Sequence, residues 1–385
     1  MRASYPAGWA RESSTDCAGA RPLRRGAREI EGVDIFAVGH HVVSRGALQM
    51  RGMSRTSVRL AVAGKRLVRV HHGWFVDAST WRSWYPEQRH AAVAIAVARS
   101  QRAGDVLLSH TCGVVLHRLP LYRYVPARAH VTGPGSAGAA KSRSRPSSLD
   151  EGIRAVKGPP VRHAADIEQH RHVIAGLAVT DLARTVADVV GRLPLTTAVA
   201  IADAALRQVA LSEGSRQYDA EAAERLRQRI LQCTALQPGA RGSVQARWVV
   251  HFADGRAASP GESVSRLYFH QLGFEPPQLQ VRVDHDAGYY EIDFGFEGLA
   301  LWGEFDGHGK YLDAEMLGGS TTAEVLLAEK RREDDIRGRT GRRMIHWESE
   351  DIADLDAFRK KLASFGVYPP GGPGAVPPTF RGAKL

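Results

Sequence analysis

The stretch Tyr289–Lys310, YYEIDFGFEGLALWGEFDGHGK, decides how this chain is to be read. It divides at Glu297-Gly298 into two strand-like pieces, Tyr289–Phe296 with Asp293 and Leu299–Phe305 with Glu304. Aspartate is depleted in strands, so Asp293 calls for a reason. Period-2 alternation predicts Asp293 and Gly295 on the face opposite Ile292, Phe294 and Phe296. Glu304 ends an otherwise apolar run, after Leu299, Leu301 and Trp302. Two neighbouring strands can set Asp293 beside Glu304 although they are eleven residues apart. Carboxylates so placed repel unless a divalent cation lies between them. Hard oxygen ligands suit Mg²⁺ or Mn²⁺, and such an ion acidifies a bound water and stabilises charge on a phosphodiester.

The flanks extend the pattern over 259–367. Ser259-Pro260-Gly261-Glu262 opens a helix that Gly273 closes, and Leu279–Val283 reads as a strand. A charged helix, Thr321–Arg337, precedes a strand at Arg343–Trp347, whose His346 and Trp347 read as core edge; a final helix follows. Three residues keep two readings each. Glu262 completes a capping box with Ser259 or faces a metal. Asp306 is a turn aspartate before Gly307 or a ligand. Lys310 is a solvated loop lysine or the cation that polarises an attacking water.

This α-β-β-β-α-β order, with an aspartate on the second strand and Glu-x-Asp ending the third, resembles the PD-(D/E)xK nuclease core. The very-short-patch-repair and related small endonuclease domains are most similar. The resemblance implies a restriction-endonuclease-like fold, catalytic roles for Glu262, Asp293, Glu304 and Lys310, and metal ligation by Asp293, Glu304 and Asp306. It also implies that Glu329 and Arg332 line the cleft. One departure stands out: Asp306 occupies the position where the family carries lysine, and Lys310 the place where related domains often carry histidine.

The chain of 385 residues holds 52 Lys and Arg against 41 Asp and Glu, a formal charge of +11. A surplus of that size suggests a polyanion partner. Its distribution is uneven: residues 36–76 hold Arg45, Arg51, Arg55, Arg59, Lys65, Arg66 and Arg69 with no acidic residue. Ser44 and Ser54 can each cap a short helix, and Gly52 and Gly64 can end them. The result is a helix-turn-helix, followed by Leu67–Val70, a His71-His72-Gly73 turn and Trp74–Val76, a hairpin that serves as a wing. Val58, Ala61 and Val62 are predicted to face inward, Thr56 and Arg59 outward, with Arg55 at the border. Arginines there suit major-groove reading of double-stranded DNA. A winged helix used only for protein contacts is the other reading.

The run GKRLVRVHHGWFV (64–76), with LLSHTCGVVLHRLPL (107–121) and VTDLARTVADVV (179–190), resembles actinobacterial AbiEi-type antitoxin-like proteins over most of 35–355. That resemblance implies a layout, and admits a toxin protein as a partner.

The expected architecture is multidomain, α+β or α/β. It has a winged helix-turn-helix over 33–80, a mixed α/β region over 85–250 and the nuclease-like core over 259–367. Disordered tails are expected at 1–32 and 368–385. In the middle region, strands are expected at Ala129–Thr132, Ile153–Val156 and Val173–Val179, with a polar loop over Gly133–Ser148. Helices follow from Thr180, after Pro194 and over Ala220–Gln232. The first of these should bury one stripe, Leu182, Val186, Val189 and Val190.

Composition excludes several classes. An apolar fraction of 43% with 24% charged residues argues against wholesale disorder, and no apolar run is long enough for a membrane span. The first 28 residues carry six arginines and no apolar core, unlike a secretory signal. Cys17, Cys112 and Cys233 form neither a disulfide framework nor a zinc site, and a cytoplasmic setting is expected. Three functional readings follow: a metal-dependent DNA endonuclease; a DNA-binding antitoxin-like protein or transcriptional regulator with an inactive nuclease-like scaffold; and a partner-binding module without DNA contact. The basic 36–76 window counts against the last.

Overall fold

The computed structural model describes residues 33–101, 106–134, 138–139, 158–165, 168–211, 217–236, 242–286, 288–307 and 322–372. The expected strand Ile153–Val156, the N-terminal tail, most of the C-terminal tail and Lys310 lie outside the described residues. Among the described residues the fold is mixed α/β with three sheets.

The N-terminal elements are α1 (Ile35–His41), β1 (Val43–Ser44), α2 (Arg45–Met50), α3 (Arg55–Ala63), β2 (Leu67–His71), β3 (Trp74–Asp77) and α4 (Ala78–Ser83). Serine caps set the helix starts. The Ser44 hydroxyl accepts from the Ala47 N–H at 3.1 Å, and Ser54 from Ser57 at 3.0 Å. Gly52, at φ 84°, makes the turn between α2 and α3 that a residue with a Cβ would resist. The strands pair antiparallel in the order β1-β3-β2. Leu48, Val58 and Phe75 bury together beneath the helices and hairpin, with Val62 and Leu67 packed on them.

Next come α5 (Pro86–Ser100), β4 (Leu107–Leu108), α6 (His110–Leu116), β5 (His130–Gly133), β6 (Gly138–Ala139), β7 (Val161–Ala164), β8 (Arg171–Ile174), β9 (Leu177–Thr180), α7 (Leu182–Val190), α8 (Leu195–Ala210), α9 (Ala220–Ala235) and α10 (Ser243–Phe252). The six strands order as β6-β7-β5-β4-β9-β8. Three expectations need correction. The single strand at Val173–Val179 is instead the hairpin β8–β9, turned by Ala175 and Gly176 at φ 49° and 76°. The loop after Gly133 contains β6, paired with β7. Helix α7 starts after its cap Asp181, and it buries nearly every residue, Arg184 and Asp188 included, rather than one stripe. An arginine–aspartate pair four residues apart makes that burial tolerable, with Arg184 Nε 2.8 Å from Asp188 Oδ1.

The C-terminal elements follow the expected order: α11 (Pro260–Gln271), β10 (Gln278–His285), β11 (Gly288–Phe296), β12 (Leu301–Asp306), α12 (Thr322–Thr340), β13 (Arg343–Glu348) and α13 (Leu355–Ser364). The sheet runs β10-β11-β12-β13, antiparallel except for the parallel β12–β13 pair. Phe269 of α11 meets Phe294, Phe296, Trp347 and Phe358. The Trp347 ring lies against Gly303, where an added Cβ would come within 2.6 Å of it. Arg266 holds α11 to α8 through both oxygens of Asp203, each at 2.8 Å.

Simple alternation fails on β11. Phe294 and Phe296 join the Phe269 cluster, but Ile292 packs with Val283, Trp302 and Ile336. The cause lies on the neighbouring strand. Register runs Leu279↔Phe294 and then Val281↔Ile292, while Gln280, at φ 51°, pairs with nothing opposite Asp293. A left-handed residue there interrupts the pleat, and the strands exchange faces around Asp293.

Candidate functional site

The candidate site is built where β11 and β12 part. Their ladder pairs Phe296 with Leu301, Gly295 with Trp302 and Phe294 with Gly303. One step further, the Phe305 N–H donates to Asp293 Oδ2 at 2.9 Å. A side-chain carboxylate has replaced a strand carbonyl as acceptor. The Glu291 carbonyl, further along β11, takes a hydrogen bond from Arg332 Nη2 at 3.0 Å.

Gln280 ties this opening to α11. Its Nε2 donates to Glu262 Oε2 at 2.9 Å and to Asp293 Oδ1 at 3.3 Å. Glu262, only 2% exposed, also accepts from the Ala258 N–H at 2.8 Å and the Ser259 hydroxyl at 2.9 Å. Burial pushes its carboxyl up, against these hydrogen bonds and the charge of Arg207. The Ser259 hydroxyl caps α11 at the Glu262 N–H, as the capping reading has it, and Gln280 connects the Glu262 side chain to Asp293.

Glu304 is 2% exposed and meets Arg332 of α12 with both oxygens, Nη2–Oε1 at 2.7 Å and Nη1–Oε2 at 3.1 Å. Burial by itself would lower the Arg332 guanidinium, but Glu304, with Asp293 and Glu333 nearby, holds it above its ordinary value. Arg332 is thus the shared neighbour of both sequence-predicted carboxylates. Glu329 is half-buried on the same helix.

Asp306 turns to His346, with Oδ2 3.3 Å from Nδ1, and His346 Nε2 lies 2.9 Å from Glu333 Oε1. His346 Nδ1 is also 3.8 Å from Glu304 Oε2. His346 is thus half-buried at the edge of the core and borders the acidic side chains of the candidate site. Its signal was alternation: Ile345 and Trp347 on either side are buried, which turns His346 to the opposite face. Gln280 carried no comparable signal. Asp293, Glu304 and Asp306 do not converge as one set of ligand atoms among the described residues.

At the other end of the chain, Arg51, Arg55, Thr56, Arg59, Lys65, Arg66 and Arg69 are exposed on α3, the hairpin and the turns beside them. Arg45 is half-buried, and its N–H donates to the Gly73 carbonyl at 2.8 Å, tying the hairpin turn to α2. Val58 and Ala61 are buried and Val62 half-buried, as expected. Met50 and Leu60 are exposed on these helices, a feature the charge pattern does not signal.

No family model matches the chain. Two proteins of Mycobacterium tuberculosis, from strains CDC 1551 and H37Rv, are each 30% identical to it over 165 residues. Both are described only as uncharacterized proteins. The match covers 41% of this chain and 54% of each relative, so the chain spans about half the length of the curated relatives it matches. Among the described residues, no helix is long and apolar enough to cross a membrane.

Proposed function

We propose that the protein is a metal-dependent DNA endonuclease, with a cleft at the parted β11 and β12 and a winged helix-turn-helix over 33–80 that docks double-stranded DNA. The observation that carries the reading is the opening of the β11–β12 ladder at Asp293. That residue, linked through Gln280 to Glu262, accepts from the Phe305 N–H next after Glu304, and Arg332 feels the charge of both carboxylates.

The donor set suits a hard cation in kind. Asp293 and Glu304, with Asp306 two residues on, would hold Mg²⁺ or Mn²⁺ only once Arg332 leaves Glu304 and the carboxylates draw together. Bound there, the ion would supply an acidified water and charge stabilisation at a phosphodiester. The chain's own residues do the rest. Gln280 and Glu262 fix the Asp293 carboxylate. Arg332, once displaced from Glu304, is a bidentate donor matched to a phosphate. His346, between Asp306 and Glu333, is placed to hold or pass a proton. Lys310 keeps the role that the family resemblance implies, polarising the attacking water.

A second reading is favoured by one observation, the two-point Arg332–Glu304 contact, which neutralises the carboxylate the cation would need. Under it, the protein is a DNA-binding antitoxin-like protein or transcriptional regulator with a toxin protein as partner, and the nuclease-like region over 259–367 is scaffold. Incubation of duplex DNA with the full chain in Mg²⁺ or Mn²⁺ separates the two. Cutting by wild type that is lost in both Glu304→Gln and Asp293→Asn, each folded by circular dichroism, supports the enzyme. Gel-shift binding without cutting in either metal rejects it in favour of the scaffold.

A further inference from the structure

A second cluster, far along the chain from the carboxylates, has no part in that reading. His110 opens α6, His130 opens β5 and His163 lies on β7, and one ring nitrogen from each lies within 4.8 Å of the other two. The rings stack with little tilt: His110 on His163 at 3.7 Å between centroids, and His130 at 5.2 Å from both. His130 Nδ1 and His163 Nε2 are 2.9 Å apart.

We infer that His110, His130 and His163 form a site for a borderline transition ion of the Zn²⁺ class. A purely structural histidine is satisfied by one donor or acceptor of another kind. Here His130 Nδ1 and His163 Nε2 face each other, where only one proton fits, and a ring nitrogen of His110, stacked on His163, lies within 4.8 Å of both. Nitrogen ligands favour Zn²⁺, Co²⁺, Ni²⁺ or Cu²⁺ over Mg²⁺, and three histidines with an open fourth position make a common zinc environment.

The surroundings agree. Asp188, on the buried α7, sits with Oδ2 3.7 Å from His110 Nδ1, where a carboxylate can orient the imidazole or complete the coordination. Ser109 Oγ is 3.0 Å from the same nitrogen. Arg184 and Arg192 add positive charge near the trio, and Asp188 offsets part of it. His110 itself has φ 51°, a costly conformation for a residue with a Cβ, of the kind that collects at functional sites.

The test uses the untagged full chain, stripped with chelator and titrated with Co²⁺, whose visible absorption reports tetrahedral nitrogen coordination. Wild type should bind one equivalent with that signature and release it to Zn²⁺. His130→Ala and His163→Gln, both at half-buried positions, should weaken binding more than about 100-fold, beyond the cost of losing an outer-shell partner. Asp293→Asn should leave it unchanged, which keeps this site distinct from the proposed cleft. A wild type without the tetrahedral spectrum would overturn the inference. So would a folded His130→Ala/His163→Ala double variant that retains it, since the ion would then sit elsewhere, as at His71-His72.

Discussion

The two ends of the described chain place their charge in opposite ways. From Arg51 to Arg69 the cations stand exposed, on helices and a hairpin whose own stretch holds no acidic residue. In the C-terminal region four carboxylates turn inward: Glu262 onto Ser259 and Gln280, Asp293 onto Phe305 and Gln280, Glu304 onto Arg332, Asp306 onto His346. The two placements have different physical meanings. An exposed, one-signed surface contributes little to folding and points to a partner of opposite charge. Buried charges cost desolvation, and they survive because each is met by a donor of its own.

Removal of Arg332 challenges this contrast most strongly. Glu304 would then keep its burial without either hydrogen bond from the guanidinium, a change that costs about 3–5 kcal/mol. Arg332→Ala should lower the urea midpoint accordingly. Replacing both partners, as Glu304→Leu with Arg332→Met, should restore most of it, because neither charge then remains to be desolvated. If Arg332→Ala unfolds at the wild-type midpoint, the pair is not structural and Arg332 is already available for a ligand.

The same inward placement marks the limit of what the sequence discloses. The element order of 259–367 was legible, because Ser259-Pro260 and Gly273 bound α11 and apolar runs mark the strands. The exposed arginines were legible for a similar local reason, since serine caps and glycines bound the helices and the apolar Val58, Ala61 and Val62 mark the inward face of α3. What escaped is non-local. Gln280 adopts a left-handed φ that its residue type does not announce, and the exchange of faces at Asp293 follows from it. The Glu304–Arg332 pair joins β12 to a helix 28 residues on. The histidine trio gathers from three elements, and only the fold brings positions 110, 130 and 163 together.

A smaller, gradual effect extends the contrast to the region between the two ends. His90 of α5 is buried, and burial, followed by the nearby His130, pulls its imidazole down to about 3. Its ordinary value is 6.5, so the unfolded chain binds the proton that the folded chain refuses. The stability owed to neutral His90 is therefore complete above about 6.5 and lost progressively as pH falls toward about 3. Denaturant midpoints measured from pH 7 down to pH 4 should decline, and His90→Leu should make that decline shallower. Its Nδ1 has no hydrogen-bond partner among the described residues and its Nε2 meets the Cys112 sulfur at 3.6 Å, a weak bond, so leucine removes little at neutral pH. An unchanged slope would assign the acid sensitivity to other groups.

The smallest expected change in folding comes from the exposed end, and there the readout moves to binding. Arg55→Ala with Arg59→Ala should leave stability within about 0.5 kcal/mol of wild type, as surface substitutions do. If both side chains meet DNA phosphates, the slope of log affinity against log salt should flatten by about 2, roughly one for each phosphate no longer neutralised. Loss of sequence discrimination at constant slope would place the two arginines on base edges instead, with α3 in the major groove. A gel shift that changes in neither respect would remove this module from the DNA-binding argument, and the contrast between the two ends would lose its functional half while keeping its structural one.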